Sequence, residues 1–128
     1  MTAERGALLD KADRALADAR LLLEAGSADT CTNRAYYAAF YVATAARRGA
    51  GERPRSHTGV RARFYVRSVA GGGGSADTAA LLARTFEARQ RVDYDAMIVT
   101  ETLAAADALA DAEAFVAAVR PLVLAPPA

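Results

Sequence analysis

Nine consecutive residues, Asn33-Arg34-Ala35-Tyr36-Tyr37-Ala38-Ala39-Phe40-Tyr41, concentrate the chemistry in this chain. A guanidinium is planar, forked and always charged, so Arg34 suits a phosphate or a carboxylate. Each phenol brings a polar tip and a ring that stacks on flat partners. At 3.6 residues per turn, Arg34, Tyr37, Ala38 and Tyr41 share one face of a helix, and Tyr36, Phe40 and Ala43 share another. One face is therefore expected to be core, while the other presents an arginine and two phenols. The plainer reading is an aromatic core helix whose arginine pairs with an acid.

Two further groups bear on chemistry. His57 is the only histidine, and so the only side chain whose ordinary pKa suits proton transfer near neutrality. It is equally a first-turn polar residue bonding a carbonyl. Between Arg47 and Arg67 lie Arg47, Arg48, Arg53, Arg55, Arg61, Arg63 and Arg67 against Glu52 alone. That stretch is +6, which leaves −5 for the remainder of a chain of net charge +1. It reads either as an anion-facing patch or as a solvated loop and helix whose arginines pair with acids elsewhere.

Other site types are set aside. Cys31 is the only cysteine, which excludes an internal disulfide, and one Cys with one His cannot supply a usual zinc set. Gly71 to Gly74 has no following Lys-Ser/Thr, so it is not a phosphate loop. No cofactor is expected. The N-terminus has charges every few residues, unlike a secretory signal, and no uncharged apolar run approaches the ~20 residues of a membrane span. The expectation is a cytoplasmic protein with no membrane partner.

The elements that must position these groups read as helices. Alanine dominates, β-branched residues are sparse, and no segment alternates like a strand. Leu8, Ala12, Ala15, Ala19 and Leu22 mark an amphipathic helix from about Thr2 to Glu24, with Gly26 as its C-cap. Asp29 or Thr30 is expected to cap a second helix running to about Arg48, where Arg47 and Arg48 suit the dipole. Ser56 is a candidate cap for a third, opening at His57. The run Gly71-Gly72-Gly73-Gly74-Ser75 is a flexible joint. Asp77 or Thr78 opens a fourth, with a break expected around Arg91 to Asp95. Ile98, Thr102, Ala105, Leu109, Ala112, Val116 and Val119 space a fifth that ends near Pro121. The result is an all-α antiparallel bundle of about five helices. One domain is expected over residues 1–124, with a frayed tail at 125–128.

Three blocks, Asn33-Arg34-Ala35-Tyr36-Tyr37-Ala38-Ala39-Phe40, Ser56-His57-Thr58-Gly59-Val60 and Arg91-Val92-Asp93-Tyr94, together resemble the HEPN superfamily of small prokaryotic helical proteins. Their order and spacing match, and the likeness runs from Lys11 to about Val119. The resemblance implies a four-helix up-and-down core plus a short extra helix, usually paired as a homodimer. Many members are ribonucleases, and many are toxins encoded beside a minimal nucleotidyltransferase that acts as antitoxin. The family's catalytic pattern is an arginine and a histidine separated by about four to six residues, with both subunits contributing to one cleft.

Carried onto this chain, Arg34 matches the arginine, and Tyr41 stands where the histidine would fall with six residues between. An ordinary phenol is ionised about one part in a thousand at pH 7, a cost of ~4 kcal/mol for a group that must act as base. Metal-independent RNA cleavage through the 2′-hydroxyl would then fall to His57, or be slow. The resemblance thus makes Arg34, Tyr41 and His57 the catalytic candidates. Asn33, Tyr37, Arg55, Arg61 and Arg63 are candidates for RNA contact or the subunit interface. Arg91, Asp93 and Tyr94 are structural supports, with Asp93 capping a helix or pairing with Arg34 or Arg91. By analogy with antitoxins that attach AMP to a tyrosine near the motif, Tyr37 or Tyr41 is a candidate acceptor. Two functions follow: an RNA-binding, ribonuclease-like toxin subunit, or a non-catalytic adaptor or nucleotide-binding partner of a nucleotidyltransferase.

Overall fold

The structure, a computed structural model, describes residues 2–49, 51, 56, 59, 76–94 and 100–124. They form four helices, α1 (Ala3–Glu24), α2 (Ala28–Gly49), α3 (Ala76–Tyr94) and α4 (Thr102–Leu124). No strand occurs among the described residues. The helix expected to open at His57, the glycine-run joint and the 125–128 tail lie outside them.

Local chemistry sets the helix ends. Thr2 caps α1, its side-chain oxygen accepting from Arg5 N–H at 3.2 Å. At the other end, Ser27 N–H donates to Leu22 O at 2.8 Å and Gly26 N–H to Leu23 O at 3.1 Å. That double closure needs a left-handed residue, and Gly26 supplies it at φ +82. The cap itself is Ala25, and Gly26 follows it.

Two local expectations, the cap of the second helix and the end of the last, are corrected. Helix α2 starts at Ala28, so Asp29 and Thr30 sit inside its first turn instead of capping it. The Asp29 Oδ1 accepts from Thr100 N–H at 3.2 Å, tying the start of α2 to the approach to α4. Helix α3 ends at Tyr94, within the 91–95 stretch where the sequence places a break, and Arg89 and Asp93, one turn apart at 2.8 Å, brace its last turn. Helix α4 passes through Pro121 to Leu124. A proline inside a helix removes a donor and crowds the preceding turn. Burial of Val119 and Val123 on either side carries α4 across it.

Contacts fix the direction of each helix. Arg48 near the end of α2 pairs with Glu4 at the start of α1. Arg120 pairs with Asp13, and Arg20 with Glu113 at 3.0 Å, so α1 and α4 are antiparallel. Asn33 early in α2 meets Asp93 late in α3. Chain direction therefore alternates along α1, α2, α3 and α4. Helices α2 and α4 each touch all three others, while α1 and α3 do not touch. The bundle is a diamond with α2 and α4 on its short diagonal.

The sequence explains that closeness. Ala35, Ala38, Ala39, Ala43 and Ala46 on α2 and Ala105, Ala108 and Ala112 on α4 are all buried, as are Ala12, Ala15 and Ala19 on α1, and such small side chains let helix backbones approach. Tyr36, Phe115, Leu82, Val42 and Val119 fill the wider spaces. Ala38, grouped by spacing with the exposed face, is fully buried. Since α2 is flanked on three sides, only a narrow strip of it reaches the surface.

Cys31 is buried against α4, and burial pushes its thiol pKa up. A disulfide reagent at neutral pH is expected to modify it only as fast as the bundle opens, with full reaction in denaturant. Rapid labelling of native protein would contradict this packing. No described helix is long and apolar enough to cross a membrane.

Candidate functional site

The exposed strip of α2 carries Asn33, Arg34, Tyr37 and Tyr41, all half-buried. Beneath it lies an aromatic layer. The Tyr36 ring is fully buried and meets Phe86 of α3 edge-on at 5.5 Å. Tyr37 packs edge-on to Tyr36 at 5.3 Å and lies 5.9 Å from Tyr41. These rings hold the strip rigid, because an aromatic helix turn offers few alternative rotamers once packed.

Cations lie over both outer rings. The Arg34 Cζ is 4.8 Å from the Tyr37 ring centre. Lys11 Nζ, from α1, is 5.2 Å from that of Tyr41. Both distances lie within the range where a ring quadrupole attracts a cation. Arg34 Nε and one terminal nitrogen donate to Asn33 Oδ1, at 3.2 and 2.9 Å. Among the described residues no carboxylate contacts Arg34, so its charge is oriented without being neutralised.

Asp93 joins from α3. Its Oδ2 accepts from Asn33 Nδ2 at 3.3 Å and lies 2.8 Å from Arg89 Nε, an ion-pair contact. Neither partner expected for Asp93, Arg34 or Arg91, is its partner here. Arg89 is the one the i,i+4 spacing brings round, and its Cζ is 5.7 Å from the ring centres of Tyr36, Tyr37 and Tyr94 alike. Tyr94 is highly exposed, at 74%.

Arg91 points elsewhere. It lines a cavity of about 260 Å³ with Thr32, Val92, Thr100 and Glu101. A second hollow of about 350 Å³, lined by Asp29, Thr30, Asn33, Val92 and Asp93, runs beside the Asn33–Asp93 contact. Of the arginines between 47 and 67, Arg47 and Arg48 are the two among the described residues. Arg47 is 2% exposed, which withdraws it from any surface patch, and Arg48 is taken by Glu4. His57, Arg55, Arg61 and Arg63 lie outside the described residues. No group of His, Cys, Asp and Glu suited to a metal ion occurs among the described residues.

The structure therefore gathers Asn33, Arg34, Tyr37, Tyr41, Asp93 and Tyr94 at one surface and leaves Arg91 out. It adds Arg89 and Lys11, which sequence reasoning missed. Arg89 was detectable as the residue one turn before Asp93. Lys11 gave no local signal, since it meets Tyr41 only through the packing of α1 on α2.

An all-α bundle with a cation-lined aromatic strip on its second helix is the class this geometry defines. The chain belongs to the HEPN domain family, whose model matches residues 6–122. It is similar to a UPF0332 protein of Thermotoga maritima, with 32% identity over 113 residues, covering 88% of this chain and 86% of that protein.

Proposed function

We propose that this protein is the RNA-binding, ribonuclease-like toxin subunit of a HEPN–nucleotidyltransferase toxin–antitoxin pair. It acts as a homodimer in which the α2 strips of two copies line one cleft. The observation that carries this reading is Arg34. Its guanidinium is held at the surface by a neutral amide and backed by a phenol ring. A cation meant only to stabilise the fold would be expected to face a carboxylate, as Arg20, Arg84 and Arg120 do. An oriented, un-neutralised guanidinium suits a phosphate, and Lys11 adds a second charge on the same strip.

The test is binding of purified protein to labelled tRNA at low salt. Arg34→Ala is expected to weaken binding by about tenfold or more, the scale of one lost charge-assisted contact. Equal affinity in the two proteins would remove the basis of the proposal.

A second reading is favoured by Tyr41, which stands where the family pattern has its histidine and carries Lys11 over its ring. On this reading the protein is a non-catalytic adaptor or nucleotide-binding partner. It forms a stable complex with a minimal nucleotidyltransferase and cleaves no RNA at any concentration.

A further inference from the structure

We propose that Asp93 and Asn33 are positioning residues that set the direction in which Arg34 presents its guanidinium, an inference that rests on Arg34 being the anion-binding group. An asparagine amide has a donor end and an acceptor end of nearly equal size, so only its partners decide which way it faces. Asp93 Oδ2 accepts from the Nδ2 end at 3.3 Å. The carbonyl end is thereby turned toward Arg34, where Nε and a terminal nitrogen both donate to it. This two-pronged grip fixes one edge of the guanidinium over Tyr37 and leaves the other terminal nitrogen for an incoming oxyanion.

The ionic state of Asp93 fits this role. Its negative charge is matched by Arg89 at 2.8 Å, so Asp93 holds Asn33 without competing for Arg34. Arg89 is itself seated among Tyr36, Tyr37 and Tyr94. Orientation thus passes from the aromatic layer through Arg89, Asp93 and Asn33 to a cation with no acidic partner among the described residues. A neutral last member matters, because a carboxylate at position 33 would cancel the charge it aims.

Charge and positioning predict opposite signs for one variant, which makes the idea testable. Removing a carboxylate from a polyanion-binding surface should tighten binding on charge alone. If Asp93 positions Arg34, Asp93→Ala instead weakens tRNA binding, by about three- to tenfold. Asn33→Ala is expected to weaken it similarly. Asn33→Asp should match the loss of Arg34→Ala, and Asp93→Asn, which keeps an acceptor for the amide, should bind at least as well as wild type. In an Arg34→Ala background, Asp93→Ala should cause no further weakening, since coupled residues are not additive. Thermal unfolding followed by circular dichroism identifies any variant that has lost its fold, and the Asn33 variants, altered at a half-exposed position, then carry the test. Tighter or unchanged binding by Asp93→Ala, alongside weakened Arg34→Ala, overturns the positioning role while leaving the site intact. No effect of Arg34→Ala overturns the reading of the site and the positioning role with it.

Discussion

Tyr36→Ala is expected to destabilise the bundle by about 3–5 kcal/mol, the usual range for removing a fully buried aromatic ring. Tyr36 has no exposed surface, and its ring contacts Phe86 of α3, Tyr37 and Phe40, with Arg89 alongside. Its loss leaves a void at the α2–α3 contact, and the packed rings around it lose their partner atoms on that side. A domain holds about 5–15 kcal/mol in all, so this single change should remove a large share of the total. Urea titration followed by circular dichroism measures the difference. The same change at Tyr37, which is half-exposed, should cost markedly less. A loss below about 1 kcal/mol at Tyr36 would mean that the core does not depend on this layer.

Tyr41→His addresses the second large effect, on chemistry. The phenol and the imidazole differ by about three units in ordinary pKa, so as a general base near neutrality the imidazole is favoured by up to about a thousandfold. Position 41 lies one to two turns beyond Arg34 on the same strip, with Tyr37 between them. Lys11 above the ring would disfavour a protonated imidazole, keeping the new base neutral and able to accept a proton. The expected result is RNA cleavage that rises by roughly two to three orders of magnitude over wild type and disappears when Arg34 is also changed to Ala. Gel analysis of labelled tRNA at matched protein concentrations reads both. If the histidine variant binds RNA but leaves it whole, the strip is not a silenced nuclease centre, and the adaptor reading gains.

Much of this architecture was legible in the chain because helical periodicity is a local property. The stripe Leu8, Ala12, Ala15, Ala19 and Leu22, the glycine after α1 and the arginine pair closing α2 each signal through neighbours a few residues apart. The Arg34, Tyr37 and Tyr41 face was readable for the same reason. The limit of that method shows at Pro121. There, a local signal for a stop was overridden by burial of Val119 and Val123.

By itself, the sequence determined the four described helices, their order, and an arginine with two phenols on one face of the second. Those follow from spacing along a single helix, where every relevant distance is set by 3.6 residues per turn. Only the tertiary structure decided which charges are spent and which are left over. Arg47 is buried, Arg48 faces Glu4, Arg89 faces Asp93, and Arg34 faces a neutral amide. Spacing cannot decide this, because each outcome depends on which residue of another helix arrives opposite, and that is set by the packing of α1 and α3 against α2.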